Sequence, residues 1–303
     1  MRLCQGPTDG PPGHEDRRGP SAVGREPMKF NPREEASLID ELRHKPREGE
    51  DFAACWHRTS LRRYELVRDL GTEGVRLWLL ADDVRFELLC RPGEMSLDTG
   101  CPWDLPPGIE PAAVVDQVFG PLADRLPMTF DVLREECHLV LALRQARRWR
   151  LLYVLPYTQH NGLNYWQFVG GGPPLANPRL SKPVRDFGWQ TPRPLRELYA
   201  VHDGFGHGHY DNPFGWSQIM VPCSQLNLLS ECVDTLGNGA DYDGRDLLEF
   251  FPDGAGNGQY FHRRTPEDDE PPTCDWDHET WQLSGPTDFF EFLDEELIRL
   301  VEE

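Results

Sequence analysis

The apolar residues of this chain come in short runs, and this limits what the chain can fold into. The longest runs, such as residues 139–143 and 151–155, are five residues long. A helix needs about 20 apolar residues to cross a bilayer, so we expect no membrane span. The 28 glycines and 28 prolines divide the chain further. A chain of 303 residues can still bury a core, so the pattern predicts many short elements around it.

Apolar periodicity predicts a mixture of helices and strands. In the first half it predicts helices near 31–46, 61–70, 112–126 and 130–146, a hairpin of strands 75–80 and 84–88, and strands at 150–155 and 165–169. In the second half it predicts helices at 194–202, 224–236 and 288–301, strands at 219–221, 247–251 and 259–262, and a hairpin of 273–278 with 280–283. The predicted fold class is therefore α+β.

Composition divides the chain into segments. Residues 1–27 are rich in glycine, proline and charge without an apolar period, so we expect a disordered tail. We predict an N-terminal α+β domain of unknown type at 28–170, a linker at 171–183 where glycine and proline accumulate, and a second domain at 184–303.

The charge is distributed unevenly along the chain. Residues 1–179 hold 26 acidic and 23 basic side chains, whereas residues 180–303 hold 25 and 8. The second part thus carries −17 of the total charge of −20. This excess disfavours direct binding to nucleic acid or to an anionic membrane, because both carry negative charge.

Four segments in the second part resemble the SMI1/KNR4 (SUKH) superfamily. Residues 194–204 (PLRELYAVHDG) are similar to its helix-to-loop signature, and residues 246–254 (DLLEFFPDG) are similar to its strand with a D/N-G turn. Residues 275–280 (DWDHET) are similar to its hairpin turn, and residues 284–292 are similar to its final helix. The resemblance covers roughly residues 175–303.

The resemblance implies both a fold and a function. The implied domain has a mostly antiparallel sheet packed by helices, here preceded by a separate α+β region. Bacterial members resemble immunity proteins, which bind a cognate polymorphic toxin, in many cases a nuclease, and block it without catalysis. We therefore expect no enzyme activity, no cofactor, and a protein toxin with a basic surface as the partner. A regulatory scaffold of the SMI1/KNR4 type is an alternative.

Acidic residues beside aromatic ones are the candidates for binding that partner. An acidic inhibitor would be steered toward a basic toxin, and a few aromatic anchors would carry most of the affinity. The candidates are Tyr242, Asp243, Asp275, Trp276 and Asp277, together with the acidic run Glu267, Asp268, Asp269 and Glu270, which we expect to be mobile.

A second hypothesis concerns histidines. His202, His207, His209 and Asp211 lie close in sequence, and imidazoles with a carboxylate can bind zinc, so a metal-dependent hydrolase is an alternative function. The other interpretation is a glycine-rich surface loop with solvated histidines, and we predict that loop and no metal site.

Two further patterns bear on location and charge. The eight cysteines form no CxxC pair, and no apolar stretch follows the N-terminus, so we expect reduced thiols in a cytoplasmic protein. Arg144, Arg147, Arg148 and Arg150 surround Trp149 and form the basic cluster of the chain. We predict a salt-bridged helix end there, and a contact with the acidic second domain is the alternative.

Overall fold

The structure is a computed structural model that describes residues 30–43, 45–92, 94, 100–159, 162–209, 212–232, 242–253 and 256–302. The expected tail at 1–27 lies outside these residues. The α-helices are α1 (Pro32–Leu42), α2 (Phe52–Leu70), α3 (Thr72–Ala81), α4 (Pro111–Phe119), α5 (Pro127–Glu136), α6 (Lys182–Asp186), α7 (Arg193–Tyr199), α8 (Leu229–Cys232) and α9 (Phe289–Glu302).

The strands form two antiparallel sheets. They are β1 (Leu88–Cys90), β2 (Leu139–Gln145), β3 (Arg148–Thr158), β4 (Asn164–Gly171), β5 (Phe205–His209), β6 (Asn212–Met220), β7 (Leu247–Pro252), β8 (Gly258–His262), β9 (Thr273–Asp277) and β10 (Gln282–Leu283). The first sheet has the order β1-β2-β3-β4-β5-β6 and the second β10-β9-β8-β7. This confirms the α+β class.

Both faces of the first sheet are buried at its centre. All residues of 139–143 and 151–155 are 4% exposed or less. Leu141 and Leu152 face one cluster, which includes Val67 of α2 and Trp78 of α3. Val140 and Tyr153 face a larger cluster, which includes residues of α4, α5, α7 and α9 and the inner side of the second sheet. The first sheet is therefore a middle layer.

The first sheet contains strands from both sides of the predicted linker at 171–183. Gly171 at the end of β4 pairs with Phe205 at the start of β5, and Phe168 pairs with Gly208. Strands from the predicted domains 28–170 and 184–303 thus share one sheet, and the larger cluster takes residues from both. The two predicted segments are parts of one packed unit.

The predicted hairpin of 75–80 with 84–88 is wrong, because residues 75–80 belong to helix α3. One side of this helix, including Leu77, packs on α1 and α2. Another side, including Trp78, packs on the first sheet. A helix buried on two sides is apolar almost all round and looks like a buried strand in sequence. Close packing also needs Gly74, since a methyl group there would lie 2.3 Å from the carbonyl oxygen of Leu66.

The predicted helix 130–146 is right only in its first part. Helix α5 ends at Glu136, and residues 139–145 form β2. The expected salt-bridged helix end is wrong as well, because the arginine cluster surrounds the β2–β3 turn. Ala146 and Arg147 form that turn with φ of 48° and 63°, as the two central residues of a type I′ hairpin require.

A buried carboxylate joins the two halves of the chain. Asp294 of α9 is 3% exposed and accepts hydrogen bonds from the backbone N–H groups of Met128 (3.0 Å) and Thr129 (2.8 Å). These are orphan donors in the first turn of α5, where a negative charge also complements the helix dipole. The second half of the chain therefore caps a helix of the first half.

We expect Asp294→Ala to destabilise the protein by about 2 kcal/mol, because two buried N–H groups lose their acceptor. Urea denaturation would measure the free energy of unfolding. Glu295→Ala, at the exposed neighbouring position of α9, is the control and should change it by less than about 0.5 kcal/mol. Equal stability of the two variants would contradict the cap.

Candidate functional site

The β9–β10 hairpin contains the candidate functional site. Gln282 pairs with Asp277 and Leu283 with Trp276, so the two strands close a tight turn. The Asp277 carboxylate accepts hydrogen bonds from the backbone N–H groups of Glu279 (2.8 Å) and Thr280 (3.2 Å). These bonds hold the pKa of Asp277 below its usual range, because they stabilise the charged form. The turn therefore holds an ionised carboxylate in one place.

Side chains alternate between the two faces of β9, and this decides which candidates reach the surface. Trp276 is 2% exposed and packs with Leu247 and Tyr260. Its Nε1 donates to the Tyr242 hydroxyl at 2.7 Å, and that hydroxyl donates to the Trp281 carbonyl oxygen at 3.1 Å. Trp276 is thus a core residue, and the expectation that it anchors a partner is wrong. Tyr242 is half-buried and serves the same network.

Three carboxylates remain at the surface of this hairpin: Asp275, Asp277 and Glu279. Asp275 and Glu279 are exposed and Asp277 is half-buried. Ser284 donates its hydroxyl to Asp275 at 3.1 Å. Within the described part of the chain, no lysine or arginine forms an ion pair with any of the three. We call Asp275, Asp277 and Glu279 the acidic hairpin.

The acidic run at 267–270 lies in the β8–β9 connection, at the opposite end of the second sheet. Arg196 of α7 binds the Asp269 carboxylate through two bonds of 2.8 Å, and this pairing lowers the pKa of Asp269. Arg193 pairs with Glu270 through its side chain. The backbone N–H of Arg193 donates to the Asp269 carbonyl oxygen. The prediction of a free, mobile run is therefore wrong for Asp269 and Glu270.

The remaining acidic candidates lie apart from the acidic hairpin. Glu267 is exposed and Asp268 is half-buried, in the same β8–β9 connection as Asp269 and Glu270. Asp243 is exposed and caps a short 3₁₀ turn, because its carboxylate accepts from the backbone N–H of Arg245 at 2.9 Å. The structure thus brings Asp275 and Asp277 together and separates them from the acidic run. Glu279, which the sequence candidates omitted, lies two residues from Asp277 in the same turn.

His202 lies in the core and not in a solvated loop. It is 1% exposed and is surrounded by the rings of Phe119 and Phe205, whose centroids lie 5.4 and 5.6 Å from its own. Its Nδ1 lies 3.0 Å from the Gly172 carbonyl oxygen and its Nε2 lies 3.0 Å from the Tyr153 hydroxyl. A carbonyl only accepts, so Nδ1 carries the proton and Tyr153 donates to Nε2. Both ring nitrogens are used within the fold.

The alternative metal-ligand set is not assembled among the described residues. Residues 205–209 form strand β5, so the predicted surface loop is wrong for this stretch. His207 is half-buried in that strand, while the His209 side chain and all of Asp211 lie outside the described part of the structure. No group of three histidine, cysteine or acidic side chains suited to a metal occurs within the described residues.

We expect His202 to make stability depend on pH. Burial lowers its pKa from 6.5 to about 4 in the folded protein. Between these values the unfolded chain binds a proton that the folded chain does not. The free energy of unfolding should therefore fall as the pH drops from 6.5 to 4, by about 3 kcal/mol in total.

Denaturation of wild type and His202→Gln across this pH range would measure the effect. Glutamine keeps one donor and one acceptor but does not titrate, so the variant should lose this component of the pH dependence. His57→Gln, at an exposed position of α2, is the control and should retain it. If the free energy of unfolding depended on pH in the same way in wild type and His202→Gln, the lowered pKa of His202 would be contradicted.

Comparisons with known proteins give no relative of this chain. No family model matches it, no curated protein matches it, and no solved structure matches it. The resemblance to the SUKH superfamily accordingly stays a prediction. Among the described residues, no helix combines the length and the apolar character needed to cross a membrane.

Proposed function

We propose that the protein is a non-enzymatic immunity protein that binds a cognate protein toxin through the acidic hairpin and blocks it by occlusion. The observation that carries this proposal is the set of three carboxylates without a cation partner among the described residues, on a turn closed by backbone hydrogen bonds to Asp277. Elsewhere in the second half, arginines of α7 already bind acidic groups. The acidic hairpin therefore has charge left for an external partner.

The surroundings of the acidic hairpin support a docking role. The turn bonds of Asp277 and the buried Trp276 beneath it fix the hairpin before a partner arrives, so little conformational entropy is lost on binding. The charge of −17 on residues 180–303 would attract a basic surface from a distance and repel nucleic acid. A toxin that binds nucleic acid needs such a basic surface, and an inhibitor that covers it would compete with the substrate.

The hydrolase alternative has less support. His202 would have to give up both of its hydrogen bonds and leave the core before it could bind a metal or a substrate. The regulatory scaffold alternative would use the same docking surface as the proposed function. The two differ in one respect: binding by a scaffold would not protect a cell from a toxin.

We expect reversal of the acidic hairpin to slow association with the toxin. The double variant Asp275→Lys/Glu279→Lys should reduce the association rate at low salt by about tenfold or more, and added salt should shrink the difference. Surface plasmon resonance with purified candidate toxin domains from neighbouring genes would measure the association rate. The matched control is Glu48→Lys/Asp69→Lys, which makes the same charge change at exposed positions among α1–α3.

Co-expression with the same toxin separates the remaining outcomes. Growth rescue by wild type and by the control variant, with loss of rescue by the acidic-hairpin variant, is the expected result. Binding without rescue would favour a scaffold and contradict immunity. Equal association rates for the two double variants would contradict docking at the acidic hairpin.

A further inference from the structure

Arg63 is a buried cation that connects three helices. It lies on α2 and is 2% exposed. Its Nε and Nη2 donate to the Leu42 carbonyl oxygen at the end of α1, at 3.0 and 2.8 Å. Nη2 also pairs with the Asp82 carboxylate at the end of α3, and the guanidinium lies 5.1 Å over the Trp78 ring. Two of the three guanidinium nitrogens are thus engaged.

The third nitrogen, Nη1, is buried and has no hydrogen-bond partner among the described residues. A buried donor without an acceptor is costly, so such a group in a folded protein calls for an explanation. Asp82 does not bond Nη1 in this arrangement: its Oδ1 accepts from Arg63 Nη2, and its Oδ2 accepts from Trp78 Nε1 at 2.9 Å. Burial also lowers the pKa of Arg63, because its desolvation outweighs the pairing with Asp82.

Arg63 lines a small pocket. The other lining residues are Trp56, Ser60, Trp78, Gln159 and Tyr165. None of them carries a carboxylate, and each polar one bears an N–H or O–H group. The volume is about 10 Å³, which is enough for about one water-sized group. The pocket therefore fits a single acceptor oxygen and is too small for a whole phosphate.

Apolar surface lies next to this pocket. Phe52, one helical turn before Trp56, is 69% exposed, and the two rings stack with centroids 6.2 Å apart. An exposed phenylalanine of this degree beside a buried cation suits a ligand that is charged at one end and apolar at the other.

We propose that this pocket binds a carboxylate carried on an apolar body, with one carboxylate oxygen accepting from Arg63 Nη1 and the apolar part covering Phe52 and Trp56. The site lies among α2, α3, Gln159 and Tyr165, on the other side of the first sheet from the second sheet. It is independent of the acidic hairpin and of the toxin proposed to dock there.

Titration with three probes tests the site, with the indole N–H signals of Trp56 and Trp78 followed by NMR. Acetate and hexanoate should shift both signals and saturate, and hexanoate should bind about tenfold more tightly because its chain covers apolar surface. 1-Hexanol, which has the apolar tail without the charge, should shift neither signal. Equal shifts with 1-hexanol, or with sodium chloride at matched ionic strength, would overturn the proposal, as would the absence of any shift.

Variants separate the two parts of the site. Arg63→Lys loses the Nη1 donor and should weaken acetate at least about tenfold. Ser60→Leu fills the pocket without touching the bonds of Arg63 and should abolish binding, which keeps the test valid if Arg63→Lys fails to fold. Phe52→Ser should reduce hexanoate to the affinity of acetate. Arg62→Ala, which removes the neighbouring arginine that pairs with Glu41 and Glu65, is the control and should bind like wild type.

Unchanged binding in Ser60→Leu, or equal weakening in Arg62→Ala and Arg63→Lys, would also overturn the proposal. The first result would place the ligand outside this pocket. The second would show that surface charge, and not the buried guanidinium, attracts the probe.

Discussion

Burial of the first sheet on both faces is the constraint on which the rest of the structure depends. Strands β2 and β3 place five consecutive apolar residues each in the interior, and each fully buried leucine or valine stabilises the fold by about 1.5–3 kcal/mol. One sheet face needs α2 and α3, and the other needs α4, α5 and α9. Because α9 belongs to the second half of the chain, both halves contribute to one core, and Asp294 closes the junction.

A buried polar group is costly unless it finds a hydrogen-bond partner. His202 stays neutral and uses both ring nitrogens, and Asp294 receives two backbone N–H groups. Arg63 satisfies this rule only in part, since its Nη1 has no partner among the described residues. The three carboxylates of the acidic hairpin, which have no cation partner among those residues, lie at the periphery, where Asp277 is oriented by backbone hydrogen bonds. The interior histidine therefore supports the fold, and the peripheral acids are available to a partner.

The alternation of side chains along strand β9 determines which residues form the candidate site. Asp275, Trp276 and Asp277 are consecutive, so a β-strand must send the tryptophan to one face and the acids to the other. Sequence proximity suggested that all three act together on a partner, but the indole is held in the core by Tyr242. The acidic run shows the same limit at longer range, because only the fold brings Arg193 and Arg196 of α7 to Glu270 and Asp269.

The amino-acid sequence by itself determined the α+β class, the C-terminal elements from β7 to α9, the short apolar runs and the acidic excess of the second half. These are local or compositional properties, and turn residues with apolar periods record them directly. The assignment of residues 75–80 to a helix and 139–145 to a strand was decided by tertiary structure, because each contains a short apolar run, 77–79 and 139–143, that is buried on two sides. The sheet that crosses the predicted linker, the partners of His202 and the pinning of Asp269 also needed the fold. Each of these depends on contacts between residues far apart in sequence, and a local sequence pattern does not predict such contacts.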